Sequence, residues 1–187
     1  MKHYLFSLMV LSLLVLFGDQ AMSYADSGAD QPKVETVSTH KNFGNLEQVL
    51  QYKNLYFAGQ PNEAAFKHFK ELGGVAVINL REPLETDFDE QPFVEELGLK
   101  YYSFPVSGRK ELNASISKKI GKAVLQEGDV PIMIHCSSGN RAAAWLATHL
   151  VTVQKDSLDN ALNVAKSVGL TSKALENKVV YLLTGKR

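Results

Sequence analysis

Residues 131–151, with the sequence PIMIHCSSGNRAAAWLATHLV, decide the fold. The apolar run from Val130 to His135 predicts a short buried strand. From Arg141 to about Val153 the sequence is apolar on nearly every side of a helical projection, which predicts a central helix. The stretch therefore reads as a strand, a short loop and a helix, and the loop contains the only cysteine of the chain, Cys136.

This arrangement of strand, loop and helix predicts a cradle for an oxyanion. The backbone N–H groups of such a loop point inward, and the helix N-terminus adds its positive end. A thiol at a helix N-terminus beside a cationic group ionises more readily than a free cysteine. Arg141 offers a planar fork for bidentate contact with an oxyanion, although its charge opposes the helix dipole. We therefore predict that Cys136 is a nucleophile and that Arg141 binds the oxyanion.

The neighbours of this pair are the remaining candidates. His135 precedes the nucleophile and either orients the loop by hydrogen bonding or is a core histidine. Arg81 ends a predicted core strand, where it either binds substrate or pairs with the acidic stretch Glu82–Glu90. The loop between Cys136 and Arg141 is predicted to line the anion site, with positive φ at the glycine, through Ser137, Ser138, Gly139 and Asn140.

Strands and helices alternate along the rest of the chain. This alternation predicts an α/β fold with a mainly parallel central sheet and helices on both faces. The predicted strands are Leu55–Ala58, Val75–Leu80 and Lys100–Val106. The predicted helices are a short one at Asn45–Leu50, one capped by Asn62, one before Gly98, and others starting at Ser115, Ser157 and Ser172.

The N-terminal region reads as a targeting segment. Residues 1–25 combine a basic start, an apolar run from Leu5 to Phe17 and a small-x-small site before Asp26, as in a cleaved signal peptide. The apolar run is shorter than the roughly 20 residues that a membrane-spanning helix needs. We expect a periplasmic or secreted protein without a stable membrane anchor, with a flexible leader at 26–44 and one catalytic domain at 45–187.

Composition excludes several classes of partner. The chain has 20 basic and 20 acidic residues, so its zero net charge gives no reason to expect a nucleic acid partner. One cysteine excludes a disulfide framework. The spacing of histidines, cysteine and carboxylates resembles no metal-ligand set, and we expect neither a metal nor a cofactor. The sequence contains no signal for oligomeric state.

Four segments together resemble one bacterial family. They are Phe57-Ala58-Gly59-Gln60-Pro61, Val77-Ile78-Asn79-Leu80-Arg81, Gly98-Leu99-Lys100-Tyr101-Tyr102 with Pro105-Val106, and the cysteine loop. The pattern, over about residues 45–185, is similar to the beta-lactamase-hydrolase-like phosphatases, a branch of the tyrosine/dual-specificity phosphatase superfamily. The resemblance implies a dual-specificity-like α/β fold. It also implies hydrolysis of a phosphomonoester through a phosphocysteine intermediate on Cys136.

The chain departs from the phosphatase pattern at three points. Four residues separate Cys136 from Arg141, where tyrosine phosphatases have five, and rhodanese-type sulfurtransferases share the short loop. Ala142 stands where the pattern usually has Ser or Thr. No Asp follows the strand at 101–106, so the general acid would be Glu111, or a residue of the acidic stretch such as Glu85 or Asp87; a solvated acidic surface is the other interpretation.

Three hypotheses about function follow. The first is an exported cysteine-dependent phosphatase-like hydrolase acting on a phosphorylated substrate. The second is a rhodanese-like sulfurtransferase that takes a sulfur oxyanion and carries a persulfide on Cys136. The third is a non-catalytic module that binds an oxyanion or a phosphoprotein, since Ala142 and the missing Asp are compatible with lost chemistry.

Overall fold

The structure, a computed structural model, describes residues 36–85, 88–107 and 112–186. Its strands are β1 (Ser38–Phe43), β2 (Leu46–Tyr52), β3 (Leu55–Ala58), β4 (Ala76–Asn79), β5 (Lys100–Ser103) and β6 (Ile132–His135). Its helices are α1 (Glu63–Glu71), α2 (Glu90–Glu96), α3 (Ala114–Glu127), α4 (Asn140–Thr152), α5 (Leu158–Ser167) and α6 (Lys173–Thr184). A short 3-10 turn covers Pro83–Glu85.

The strands form one six-stranded sheet in the order β1-β2-β3-β6-β4-β5. The four strands β3, β6, β4 and β5 are parallel, while β1 and β2 add an antiparallel extension at one side. The predicted mixed α/β fold with a mainly parallel sheet is confirmed. Because β6 lies between β3 and β4, the carboxyl ends of these three strands meet at one edge, where ligand sites of parallel sheets form.

The sheet separates two hydrophobic cores, and alternation along each strand supplies both of them. On one face, Phe57, Ile78 and Ile134 pack in a core that includes Trp145 of α4 and residues of α3, α5 and α6. On the other face, the intervening residues Tyr56, Val77 and Met133 pack in a core with residues of α1 and α2. Since β3, β4 and β6 are covered on both sides, their sequences are apolar at nearly every position, whereas the edge strand β5 is more polar and partly exposed.

Two predictions near the start of the domain are wrong. The segment Asn45–Leu50, predicted as a short helix, lies instead mostly in strand β2, which pairs with β1 and β3. The predicted leader at 26–44 ends in strand β1, whose side chains are largely exposed except for Phe43. An edge strand with so polar a face has the composition of a loop, which explains the error. The predicted signal peptide and the leader up to residue 35 lie outside the described residues.

The helix starts follow the predicted caps with one exception. Asn62 and Ser157 each accept a hydrogen bond from the first turn of the helix that follows, as predicted, and Ser172 does so for α6, which was predicted to begin near Ser172. Helix α3 is capped by Asn113 rather than Ser115: Oδ1 of Asn113 accepts the N–H of Ile116 at 3.0 Å. Among the described residues, no helix is long and apolar enough to span a bilayer.

Candidate active site

The cysteine loop connects the end of β6 to the start of α4. Gly139 is the N-cap of α4 and has φ +84°, a left-handed conformation that disfavours residues with a Cβ. This turn directs the Gly139 N–H at the thiol, and the distance from N to Sγ of the buried Cys136 is 3.1 Å. The turn therefore places a backbone donor in direct contact with the sulfur at the start of the helix.

The loop backbone is held against the end of β3. The N–H of Cys136 donates to the Ala58 carbonyl at 3.4 Å, and the N–H of Gln60 donates to the Ser137 carbonyl at 3.3 Å. An isolated bridge pairs Gly59 with Ser138. The segment Ala58–Gln60, which belongs to the motif quoted above, therefore fixes the shape of the loop from outside it.

The Arg141 guanidinium is held by several acceptors. Its Nη1 donates to the carbonyl of Val106 at 2.6 Å and to that of Leu80 at 3.3 Å, and its Nη2 donates to Oγ of Ser137 at 3.0 Å. The Glu85 carboxylate accepts hydrogen bonds from both terminal nitrogens, with Nη1–Oε1 2.7 Å and Nη2–Oε2 2.6 Å. These contacts fix the plane of the guanidinium beside the cysteine loop.

The pairing with Arg141 changes the assignment of Glu85. Hydrogen bonds from Arg141 lower the pKa of Glu85 to about 2, despite partial burial, and the charge of Arg81 adds to the effect. The same hydrogen bonds raise the pKa of Arg141. An ionised carboxylate has no proton to give at neutral pH, so Glu85 does not serve as the general acid in this arrangement. It acts as the partner of Arg141.

This ion pair predicts a loss of stability in acid. The lowered pKa means that Glu85 stabilises the fold above its unfolded pKa of about 4.5, and that this stability disappears as the pH falls through about 2. Allowing for solvent screening, we expect wild type to lose about 1–2 kcal/mol more unfolding free energy than Glu85→Gln between pH 6 and 3. Urea denaturation at the two pH values measures the difference. Equal losses in both proteins would contradict the assignment.

A buried polar network lies behind the loop. Nε2 of His135 is 2.8 Å from Oε1 of Glu90, and both side chains are buried. Gln60 connects this pair to Arg81: its Nε2 donates to Glu90 Oε2 at 2.7 Å, and its Oε1 accepts from Arg81 Nη1. The orienting role predicted for His135 thus has a partner, Glu90, that the sequence analysis had grouped with the acidic stretch.

Asn79 of β4 and Tyr101 of β5 extend this network across the sheet. Nδ2 of Asn79 donates to the Tyr101 hydroxyl at 2.8 Å, and Oδ1 of Asn79 accepts the N–H of Arg81 at 2.7 Å. Burial alone would raise the pKa of Glu90. Hydrogen bonds from His135, Gln60 and Tyr101 together outweigh burial and lower the pKa, so the carboxylate stays ionised. Burial and the charge of Glu90 raise the pKa of Tyr101. The carboxyl ends of β4 and β6 are therefore joined by side chains.

The structure places the remaining candidates as follows. Ser137 contacts Arg141 directly. Asn140 turns its amide to the loop before α6, where Oδ1 accepts the N–H groups of Thr171 and Ser172 at 2.8 and 2.7 Å. This contact ties α6 to the site and was not foreseen. Arg81 is buried, with Nε 3.7 Å from Glu85 Oε2. Glu111 and Asp87 lie outside the described residues, so their assignment stays a prediction.

A cavity of about 680 Å³ adjoins the loop. Its polar lining includes Glu85, Ser138 and Arg141, and its apolar lining includes Val106 and Leu175. The size lies within the usual range of ligand pockets, roughly 300–1,000 Å³. Among the described residues no cluster of histidine, cysteine or carboxylate side chains could hold a metal ion. The structure therefore places a partly apolar cleft beside the cysteine loop, while the thiol of Cys136 is buried and does not line the cleft.

Comparison with solved structures identifies the fold. A proposed phosphatase of the DUF442 group from Shewanella putrefaciens CN-32 is 23% identical, with a TM-score of 0.59 over 79% of this chain and 87% of that one. Tk-PTP in its active form is 19% identical, with a TM-score of 0.60 over 71% and 92%. The fold is therefore of the phosphatase type that these structures share. TpbA of P. aeruginosa, solved in complex with phosphotyrosine, is 16% identical, with a TM-score of 0.59 over 73% and 83%.

Sequence comparison adds no narrower assignment. No model of a protein family matches the chain, and no curated protein matches it either. The phosphatase-type fold expected from the resemblance is therefore confirmed, while the specific beta-lactamase-hydrolase-like branch stays a prediction.

Proposed function

We propose that this chain is an exported hydrolase of phosphomonoesters that works through a phosphocysteine intermediate. The observation that carries the proposal is the contact between the Gly139 N–H and Sγ of Cys136 at the start of α4. It places the thiol at the base of a loop at a helix N-terminus, where backbone N–H groups and the nearby charge of Arg141 favour a phosphoryl group. Phosphorylated substrates are further supported by the TpbA complex with phosphotyrosine.

The reaction has two steps. The Cys136 thiolate attacks phosphorus, the S–P bond forms, and the bond from phosphorus to the ester oxygen breaks with its electron pair on the leaving group. Water then attacks the phosphocysteine, the S–P bond breaks, and inorganic phosphate leaves. The loop N–H groups stabilise the negative charge on the equatorial oxygens in both transition states, and Arg141, whose terminal nitrogens are bound to Glu85, adds positive charge beside them.

The leaving group decides which esters suit this site. Glu85 is ionised by its pairing with Arg141, so it does not protonate the departing oxygen. Losing a general acid typically lowers the rate by about 10²–10⁴-fold. We therefore propose aryl phosphates such as phosphotyrosine, whose phenolate departs more readily than an alkoxide, as the substrate class. Glu111 remains the candidate acid for more demanding esters.

A rhodanese-like sulfurtransferase is the second candidate. The observation in its favour is the four-residue spacing between Cys136 and Arg141, since a shorter loop encloses a smaller anion site. In this reaction the thiolate attacks the outer sulfur of thiosulfate, the S–S bond breaks, and sulfite leaves while Cys136 carries a persulfide. A module that binds oxyanions without chemistry is the third candidate.

Intact-mass spectrometry of the purified protein tests these alternatives. After mixing with p-nitrophenyl phosphate and a rapid acid quench, the wild-type mass is expected to increase by one phosphoryl group. The Cys136→Ser protein, which lacks the thiol, should show no such increase. Thiosulfate should leave the mass unchanged. A gain of one sulfur atom from thiosulfate, without a phosphoryl adduct, would assign the protein to sulfur transfer. The same spectrum tests export, which predicts a mature chain that starts at Asp26.

A further inference from the structure

Helix α6 forms part of the cleft beside the cysteine loop. The other parts of the lining are the loop itself and the residues that follow β4 and β5. From α6 and its cap the cleft is lined by Ser172, Ala174, Leu175 and Lys178. A phosphoryl group held at the loop would extend its ester group into this cleft, so the start of α6 lies where the leaving group is contacted.

Asn140, the first residue of α4, holds the start of α6 at the cysteine loop. Its Oδ1 accepts the N–H groups of Thr171 and Ser172 at 2.8 and 2.7 Å. Its Nδ2 donates to Oγ of Thr171 at 3.2 Å and to Oγ of Ser138 at 3.4 Å. One side chain therefore joins the loop that carries the cysteine to a segment 31 and 32 residues further along the chain.

The contacts continue from Ser172 to the apolar wall of the cleft. Ser172 is the N-cap of α6, and its Oγ accepts the N–H of Leu175 at 3.4 Å. The side chain of Leu175 is partly buried against the core and lines the cleft. Because a cap residue fixes the first turn of its helix, the hydrogen bond from Ser172 to Asn140 also fixes where Leu175 lies.

The first turn of α6 has few other restraints. Among the described residues of α6, only Val179 is buried, and it lies one turn beyond Leu175. Lys173 and Ala174 are exposed. Apolar burial therefore contributes little to holding this turn, and the hydrogen bonds of Asn140 are a main restraint on its position relative to the loop.

The next residue of the chain holds another part of the same lining. Arg141 Nη1 donates to the carbonyl of Val106 at 2.6 Å, and Val106 lines the cleft together with Leu175. Two consecutive residues at the start of α4 thus fix two apolar parts of the cleft. The position of each part is set from the loop that holds the anion.

We propose that Leu175 selects esters with an aromatic leaving group, and that Asn140 is the positioning residue that holds Leu175 at the cleft. Since the phosphoryl group is placed at the cysteine loop only by the proposed function, both roles rest on that proposal. In the bound ester the phosphoryl group lies against the loop N–H groups, and the aromatic ring packs against Leu175 and Val106. Asn140 does not touch the ring and acts through the backbone of Ser172.

Calorimetric titration with two phosphonates that cannot be hydrolysed tests both roles. Phenylphosphonate carries the ring and methylphosphonate lacks it, so the ratio of their dissociation constants, at a pH where both are dianions, reports the ring contact. We expect wild type to bind phenylphosphonate about tenfold more tightly, because the ring buries apolar surface in the cleft. Equal dissociation constants, or no binding of either compound, would overturn the proposal.

Turnover of p-nitrophenyl phosphate by the same preparation tests the hydrolase separately. The expected ratio without any turnover would refute hydrolysis and still support the ring contact. Turnover with equal dissociation constants would do the reverse.

Substitutions at the two positions separate the contact from its positioning. Leu175→Ala and Asn140→Ala should each lower the ratio to about threefold or less, and the double variant should fall no lower than Leu175→Ala, because Asn140 acts through Leu175. Asn140→Asp keeps an acceptor for the two N–H groups, and its charge weakens both phosphonates alike, so its ratio should match wild type. Additive losses, or a ratio in Asn140→Asp as low as in Asn140→Ala, would refute the positioning role.

Asn54→Ala is the matched control. Nδ2 of Asn54 also joins distant parts of the backbone, since it donates to the carbonyls of Gly128 and Val130 at 3.1 and 2.9 Å, but none of these residues lines the cleft. Its ratio should equal that of wild type, and urea denaturation should show that all the variants are folded at the temperature of the titrations. A ratio lowered equally by Asn54→Ala would mean that the effect of Asn140→Ala is a general loss of order.

Discussion

Replacing Cys136 with serine is expected to lower kcat for p-nitrophenyl phosphate by at least about 10⁴-fold, with little change in KM. A serine hydroxyl is not ionised near neutral pH, so the hydrogen bond from Gly139 has no anion to stabilise. The substitution is close to isosteric in a fully buried position, and the fold should persist. Steady-state kinetics with the aryl phosphate measure the loss, and urea denaturation checks the fold.

Lys118→Gln serves as the control, since Lys118 lies on the exposed side of α3 and lines only a cavity away from the loop. It should retain full turnover. If Cys136→Ser keeps more than about one hundredth of wild-type kcat while remaining folded, the thiol is not the nucleophile and the proposed mechanism is wrong.

Arg141→Lys is expected to lower kcat/KM by about 10³-fold. Lysine keeps the charge but loses the planar fork that Glu85 and the carbonyl of Val106 hold in place. A lysine ammonium cannot make both contacts with Glu85, so its charge is held less precisely beside the cysteine loop. Comparison of kcat/KM for the two proteins, under conditions where both are folded, measures the effect.

A double-mutant cycle with Glu85 sharpens this prediction. Because Glu85 acts by orienting Arg141, Glu85→Gln should reduce kcat/KM in the wild-type background and have little further effect in Arg141→Lys. Additive losses would mean that Glu85 acts on the substrate independently. In that case the Glu85 carboxylate would affect kcat/KM by a route other than orienting the guanidinium of Arg141.

The cysteine loop was the most predictable part of the site. Its strand, its glycine and its helix are consecutive in sequence, so local pattern was enough to place Cys136 and Arg141. The partners of these residues come from elsewhere in the chain. Glu85 and Glu90 lie in a run of acidic residues whose composition suggests a solvated surface, and only the folded sheet brings them to Arg141 and His135.

The fold was predictable where burial is complete. Strands β3, β4 and β6 are apolar except for their last residues Asn79 and His135, because helices cover both faces, and the helix caps are local signals. Strands β1 and β2 were not predictable from the sequence, since β1 exposes most of its side chains and β2 mixes polar with apolar ones. Their conformation depends on pairing with each other and with β3, which is a tertiary effect.

The closed network behind the loop also restricts how this sequence can change over evolution. Arg81, Glu90 and His135 are buried together, and Gln60 bonds two of them. Removing one member leaves a buried partner without its hydrogen bond, at a cost of roughly 1–3 kcal/mol or more where that partner is charged, which is a large share of the stability of a small domain. Single substitutions at these positions should therefore destabilise the fold strongly, whereas joint replacements need not. Homologues of this chain should keep or exchange these residues as a set.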